Sequence, residues 1–151
     1  MTNEEMKNVI TTLLPSATFE EGGEWLNVLL EADNWKTDAL KLRNFADSPF
    51  NFLFCLTCVD WKTHLTMVYH LRSTITLDNM VVKIKLNREK PEINTVCDIW
   101  RTAELLEREV YDLFGVIFIE HPDLRRLLLT DDWVGYPLRK DYEDPINMIK
   151  L

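Results

Sequence analysis

Along the chain the spacing of apolar residues switches between a helical and a strand period, and each switch marks an element. Met6, Val9, Ile10 and Leu13 recur on one helical face. Thr2 and Glu5 have capping-box spacing and Pro15 follows the end, which predicts a first helix. In ATFEEGGEWLNVLLE, Gly22-Gly23 between two extended runs predicts a hairpin, with Leu26, Val28 and Leu30 on one face of its second strand. Trp35, Ala39, Leu42 and Phe45 or Ala46 stripe a second helix, which Asp33 or Asn34 can cap and Pro49 closes. Phe50–Asp60 is apolar on both faces, so a central strand is expected there. His64–Arg72 alternates, with Leu65, Met67, Tyr69 and Leu71 on one side. Residues 80–87 alternate again, with Met80, Val82, Ile84 and Leu86 inward and Lys83, Lys85 and Asn87 outward. A last helix carries the stripe Ala103, Leu106, Val110 and Leu113, with Thr95 and Asp98 as its expected cap and Gly115 as its C-cap. VIFIE reads as a short strand.

The order α-β-β-α-β-β-β-α predicts an α+β fold: a two-layer domain with helices on one face of a mixed five-stranded sheet. Residues 1–119 are expected to form the body. Residues 120–151 are expected to form an extended C-terminal tail of the same domain unit.

Composition narrows the chemistry. At 46% hydrophobic and 11% aromatic the chain can build a core. A formal charge of −8 and a pI of about 4.9 disfavour binding to nucleic-acid phosphates and to anionic lipid. Residues 121–151 hold five basic and six acidic side chains, a net of −1, which leaves −7 for residues 1–120. No targeting segment or membrane span is visible, so a cytoplasmic protein is expected. Cys55 and Cys58 form a CxxC, but within a strand they point to opposite faces and cannot share a metal. With Cys97 they read as small packing residues.

Catalytic groups are sparse. The chain has four scattered glycines and no phosphate-binding loop. His64 and His70 stand roughly 20 Å apart along a strand, and His121 has no ligand-spaced neighbour. Asp112 follows Arg108 by four residues, which predicts an ion pair along the last helix. The informative stretch is HPDLRRLLLTDDWVGYPLRKDY, His121 to Tyr142. Its arginines, tryptophan and tyrosines are interface residues, and Pro122, Gly135 and Pro137 keep its backbone extended. Composition leaves two readings open: a strap for a partner, or a segment packed on its own domain.

EREVYDLFGVIFIEHPDLRRLLLTDDWVGYPLRKDY, Glu107 to Tyr142, resembles the signature of the 30-kDa (C-type) subunit family of proton-pumping NADH–quinone oxidoreductase, respiratory complex I. Looser similarity runs upstream through FLFCLTCVDW, VYHL and the Lys83–Leu86 strand. The resemblance implies a non-catalytic member of the hydrophilic arm, peripheral on the cytoplasmic side of the membrane. Its implied partner is the large hydrogenase-like (49-kDa, D-type) subunit that frames the quinone site. It implies no cofactor in this chain, with flavin, iron–sulfur clusters and quinone held by partner subunits. The implied interface is Glu107, Arg108, Glu109, Tyr111, Asp112, Phe114 and Gly115 on and after the helix. It continues through His121, Pro122, Asp123, Arg125, Arg126, Trp133, Gly135, Tyr136, Pro137, Arg139, Lys140, Asp141 and Tyr142 in the tail. On this reading Arg125, Arg126, Arg139 and Lys140 meet partner groups, Trp133, Tyr136 and Leu127–Leu129 fill grooves, and Arg126→Ala weakens assembly more than the isolated domain. Glu120 and Tyr136 depart from the family's glycine and histidine; the first is expected to alter a turn. Ending at Leu151, the chain is expected to be the unfused form. Alternatives are the equivalent subunit of a membrane-bound hydrogenase, formate hydrogenlyase or F420-linked dehydrogenase, a stand-alone binding module, or a small enzyme using Glu107, Asp112 or His121.

Overall fold

The computed structural model describes residues 1–144; the end of the expected tail, 145–151, lies outside them. Helix α1 (Asn3–Leu13) starts as its sequence predicts. Thr2 accepts from the Glu5 amide, the Glu5 carboxylate accepts from the Thr2 amide, and Met6 and Ile10 are buried. Strands β1 (Thr18–Glu20) and β2 (Leu26–Leu30) form the expected antiparallel hairpin, and Gly22 and Gly23 supply the positive φ of its loop. A 3₁₀ turn (Ala32–Asn34) leads into α2 (Trp35–Arg43), where Trp35, Ala39 and Leu42 face the core. Neither Asp33 nor Asn34 forms the expected cap, because that turn puts no side-chain oxygen over the first amides of α2.

Three nine-residue strands follow: β3 (Phe52–Asp60), β4 (His64–Arg72) and β5 (Asn79–Asn87). The sheet order is β1-β2-β5-β4-β3, with β2 and β5 parallel and the other pairs antiparallel, so the expected mixed five-stranded sheet is present. Its register stacks Leu26, Val28 and Leu30 beside Met80, Val82, Ile84, Leu65, Met67, Tyr69 and Leu71, all buried on one face. That face forms the core with Ile10, Leu14, Trp35, Leu42, Trp100 and Val110.

The expected central position of β3 is overturned. The β3 segment is an edge strand, and only one of its faces is buried. Leu53, Leu56 and Cys58 face the core, whereas Phe52 and Phe54 remain 39% and 36% exposed. Its apolar second face reflects an uncovered surface rather than a central position. A bulge between Leu53 and Cys55 keeps the alternation in step. Cys55 then pairs with His70 on the outer face and Cys58 with Met67 on the core face, so the CxxC thiols do point apart.

The chain then adds β6 (Glu92–Asn94), α3 (Ala103–Phe114) and β7 (Ile117–Ile119), with β6 and β7 pairing in parallel as a small second sheet. The three residues of β6 carry no readable period, so the sequence reading has no strand there. Thr95 and Asp98 do not cap α3, which begins only at Ala103. Thr95 instead hydrogen-bonds Glu107, and Asp98 pairs with Lys36 at 2.9 Å. Among the described residues no helix is long and apolar enough to cross a membrane.

The one-sided burial of β3 makes a prediction. Leu53→Ala should cost about 2–5 kcal/mol by leaving a core cavity, and Phe54→Ala less than about 1 kcal/mol. Urea titration checks this, and equal losses would mean that both faces are buried.

Candidate functional site

Helix α3 ends against the body, and its last turn sets the local problem. The final carbonyls of a helix have no partner within it. Here each of the last four has a donor. Gly115, at φ +78° in the left-handed region, returns its N–H to Tyr111 O. The next three carbonyls are met by the segment 121–144, which crosses back over the helix end as a strap. Arg126 Nη1 donates to Asp112 O at 2.8 Å, the Leu138 amide to Leu113 O at 3.0 Å, and Arg139 Nε to Phe114 O at 2.7 Å. Gly115 is required twice: a Cβ there would lie 2.7 Å from the Tyr136 ring, besides the strain of its backbone.

The Asp112 side chain completes the junction. It is fully buried, and its Oδ2 accepts the successive amides of Leu127, Leu128 and Leu129 at 3.1, 2.7 and 3.0 Å. Its Oδ1 accepts from Arg126 at 3.0 Å. Burial pushes the carboxyl pKa up, but the Leu129, Leu128 and Leu127 amides and the Arg126 guanidinium outweigh it and hold the pKa below the usual range. Arg126 also donates to Trp133 O and Gly135 O and lies over the Tyr136 ring, 5.2 Å from its centroid. Arg139 approaches the same ring at 5.9 Å. Arg108 donates to Arg125 O and Arg126 O, so it holds the strap backbone rather than forming the expected pair with Asp112.

A second carboxylate fixes the far end of the strap. Asp60, at the end of β3, takes both Arg88 donors at 2.9 Å and the amides of Lys62 and Lys140 at 2.8 and 2.9 Å. The Arg88 guanidinium, followed by those amides, holds its pKa well below the usual carboxylate range against burial. Asp141 adds a looser contact to Arg88 at 3.4 Å. Nothing in the sequence singles out Asp60 or Arg88: they meet each other across 28 residues, and Asp60 meets the Lys140 amide across eighty.

At the root of the strap sits Glu107, fully buried, which accepts from Thr95 Oγ1 and the Val96 amide. His121 Nδ1 accepts from the Asp123 amide, so its Nε2 carries the proton, donates to Glu104 O at 2.9 Å and lies 4.0 Å from Glu107. Burial pushes the Glu107 carboxyl up to about 7 against the pull of its donors. Glu120, at φ +67°, occupies a conformation that a glycine would adopt freely, so the departure at this turn carries strain of about 1 kcal/mol.

Of the residues singled out in sequence, Glu107, Arg108, Asp112, Phe114 and Gly115 are buried. Glu109, Tyr111, His121, Arg126, Trp133, Gly135, Tyr136, Pro137, Arg139 and Tyr142 are half-buried, and Pro122, Asp123, Arg125, Lys140 and Asp141 are exposed. Arg126 and Arg139 are not held in reserve for a partner, because their guanidinium groups are occupied within the chain. Arg125 is paired with Asp123 at 3.0 Å. The apolar groups left facing outward are Leu127, Leu128 at 64% exposure, Val134 at 87% and Leu138. Val134 borders a groove of about 610 Å³ between the strap and β6, lined also by Glu92, Ile117, Tyr136 and Tyr142. Among the described residues no cluster of His, Cys, Asp or Glu could hold a metal ion, and the cysteines are free.

A family model described as "Respiratory-chain NADH dehydrogenase, 30 Kd subunit" matches residues 28–146. A C/D-type subunit of NADH-quinone oxidoreductase from Phocaeicola vulgatus is 50% identical over 124 residues, covering 81% of this chain and 24% of that protein. The chain thus spans about a quarter of the length of such C/D relatives. A C-type subunit of NADH-quinone oxidoreductase from Chlorobium phaeobacteroides is 42% identical over 118 residues, covering 76% of this chain and 71% of that one. Among solved structures, the membrane-bound sulfane sulfur reductase, an archaeal respiratory membrane complex, has a chain matching at TM-score 0.79 and 30% identity over 93% of this chain and 85% of that chain. A trypsin-resistant fragment of Nqo5 matches at TM-score 0.65 and 29% identity, over 79% of this chain and 98% of the fragment.

Two outcomes test the junction. Arg126→Ala should destabilise the isolated chain by about 3 kcal/mol, because it removes the cation paired with buried Asp112 Oδ1 and the donor to three carbonyls, while the three amides on Oδ2 remain. An unchanged urea midpoint would exclude that role. For Glu107, a folded pKa of about 7, above the ordinary 4.5, means that the native state binds the extra proton. Stability should therefore fall as pH rises from about 4.5 to 7, by on the order of 3 kcal/mol. Glu107→Gln should remove that slope, and an identical slope in the variant would assign it to another group.

Proposed function

From the premise that the chain belongs to the 30-kDa subunit family of respiratory-chain NADH dehydrogenase, that of the C-type subunits of NADH-quinone oxidoreductase, we propose that it is a non-catalytic assembly subunit. Its role is to brace the large D-type subunit while electrons pass from NADH to quinone, from the cytoplasmic side of the membrane. The observation that carries this reading is the strap. Its backbone, Arg126 and Arg139 are fixed on α3 and Asp60, so Leu128, Val134 and Leu138 are presented outward by a rigid support. A preorganised apolar ribbon loses little conformational entropy when a partner covers it. The C/D names give support from a separate direction: in those relatives a segment like this chain is continuous with a much longer remainder. Flavin, clusters and quinone are assigned to partner subunits.

A second reading is favoured by one observation. A chain of the membrane-bound sulfane sulfur reductase matches over 93% of this chain at TM-score 0.79 and 30% identity, which supports the same strap serving in the corresponding position of a related membrane-bound redox complex. Hydrogenase, formate hydrogenlyase and F420-linked complexes belong to that class.

Co-expression with a D-type subunit of NADH-quinone oxidoreductase from the same source tests the bracing role. Leu128→Asp should leave stability within about 0.5 kcal/mol of the wild type, because the side chain is exposed, yet abolish co-purification. Undiminished co-purification would overturn the reading. NADH oxidation by the intact complex separates the two redox readings.

A further inference from the structure

The five-stranded sheet has two faces, and only one is used by the core. The register places His64, Thr66, Val68, His70 and Arg72 of β4 opposite the core-facing set. Beside them on β5 stand Val81, Lys83 and Lys85. Across this face runs a groove of about 500 Å³, floored by Thr66, Val68 and Leu29 and walled by Trp61, Lys83 and Lys85. Trp61 is 56% exposed. At the opposite end of the face Phe54 packs edge-on against Trp25 at 5.9 Å and tilted against His70 at 5.7 Å, with Phe52 at 6.2 Å.

The charge of this face is inverted relative to the chain. Acids outnumber Lys and Arg by 25 to 17 overall. On this face Arg72, Lys83 and Lys85 stand against two carboxylates, Glu20, which pairs with Lys83 at 3.0 Å, and Glu31 at the edge of the groove. The three nine-residue strands, about 30 Å long and about 4.8 Å apart, with the shorter β2 beside them, present on the order of 500 Å², roughly two-thirds of one side of a standard protein interface. A net charge of −8 sets the protein as a whole against an anionic lipid surface.

We propose that the outer face of the sheet docks a second protein partner, one that presents acidic side chains beside apolar ones. This partner is distinct from the one held by the strap. The carboxylates answer Arg72 and Lys85, and the apolar groups fill the groove beside Trp61 and cover the Phe52–Phe54 ridge. The inference rests on the chain working within a multi-subunit assembly but not on which subunit the strap holds.

Cys55 is a built-in reporter, a free thiol on this face opposite His70. Its alkylation by N-ethylmaleimide, followed by peptide mass spectrometry, is compared between the free chain and the intact native complex. A rate at least tenfold lower in the complex is expected, and equal rates would overturn the proposal. In parallel, a chain carrying Arg72→Glu and Lys85→Glu is assembled in cells. It should keep its melting temperature and its co-purification with the D-type subunit, while the particle lacks one other subunit. A complete particle would overturn the proposal, as would loss of the D-type subunit from a folded variant. Two further results would also overturn it: charge-sensitive dimerisation of the free chain, which makes a second copy the occupant, and binding to phosphatidylglycerol vesicles, which makes it lipid. If Leu128→Asp leaves the D-type subunit bound, the strap reading fails while these outcomes keep their meaning.

Discussion

A helix that stops inside a protein must find donors for its last carbonyls, or leave several buried acceptors unmet at roughly 1–3 kcal/mol each. Helix α3 meets this constraint with chain that lies beyond it. Gly115 closes one carbonyl, and Arg126, Leu138 and Arg139 close the other three. The same turn carries Asp112, whose buried carboxylate needs donors for its own reasons and finds them in the amides of Leu127, Leu128 and Leu129. The two needs are complementary. A helix end offers acceptors, an extended strap offers unpaired amides and arginines, and each satisfies the other without forming regular secondary structure.

That exchange explains why a segment with neither helical nor strand period keeps one path across the surface. It also sets which of its side chains face outward. Groups that bond to α3 or Asp60 turn in: Arg126, Arg139 and the amide of Lys140. Apolar groups with no core to join turn out, with Leu128 and Val134 the most exposed. The basic residues that look like partner contacts in sequence are thus largely the fastening, and the aliphatic residues between them form the face.

Much of the fold was legible because burial is one-sided and alternation records it. β4 and β5 alternate between core and outer face as their sequences predict, and the Thr2–Glu5 capping box forms. Strand order was not legible. Phe52 and Phe54 look buried as a matter of composition, yet β3 lies at the edge, since periodicity records which residues share a face and not what covers it. The site was half legible. The Glu107–Tyr142 stretch stands out by its residues, but the path of Arg126 does not, because the carbonyls it reaches belong to backbone that any sequence supplies. Asp60 was invisible for the same reason: its partners are an arginine 28 residues away and an amide 80 residues away.

If the strap is a fixed part of the body and not a segment that orders only on a partner, its amides are locked before any partner arrives. Hydrogen exchange at Leu127, Leu128 and Leu129 in the isolated chain measures this directly. Protection that rises and falls with the last turn of α3 is the expected result. Exchange of those three amides at unstructured rates, with α3 still protected, would contradict it.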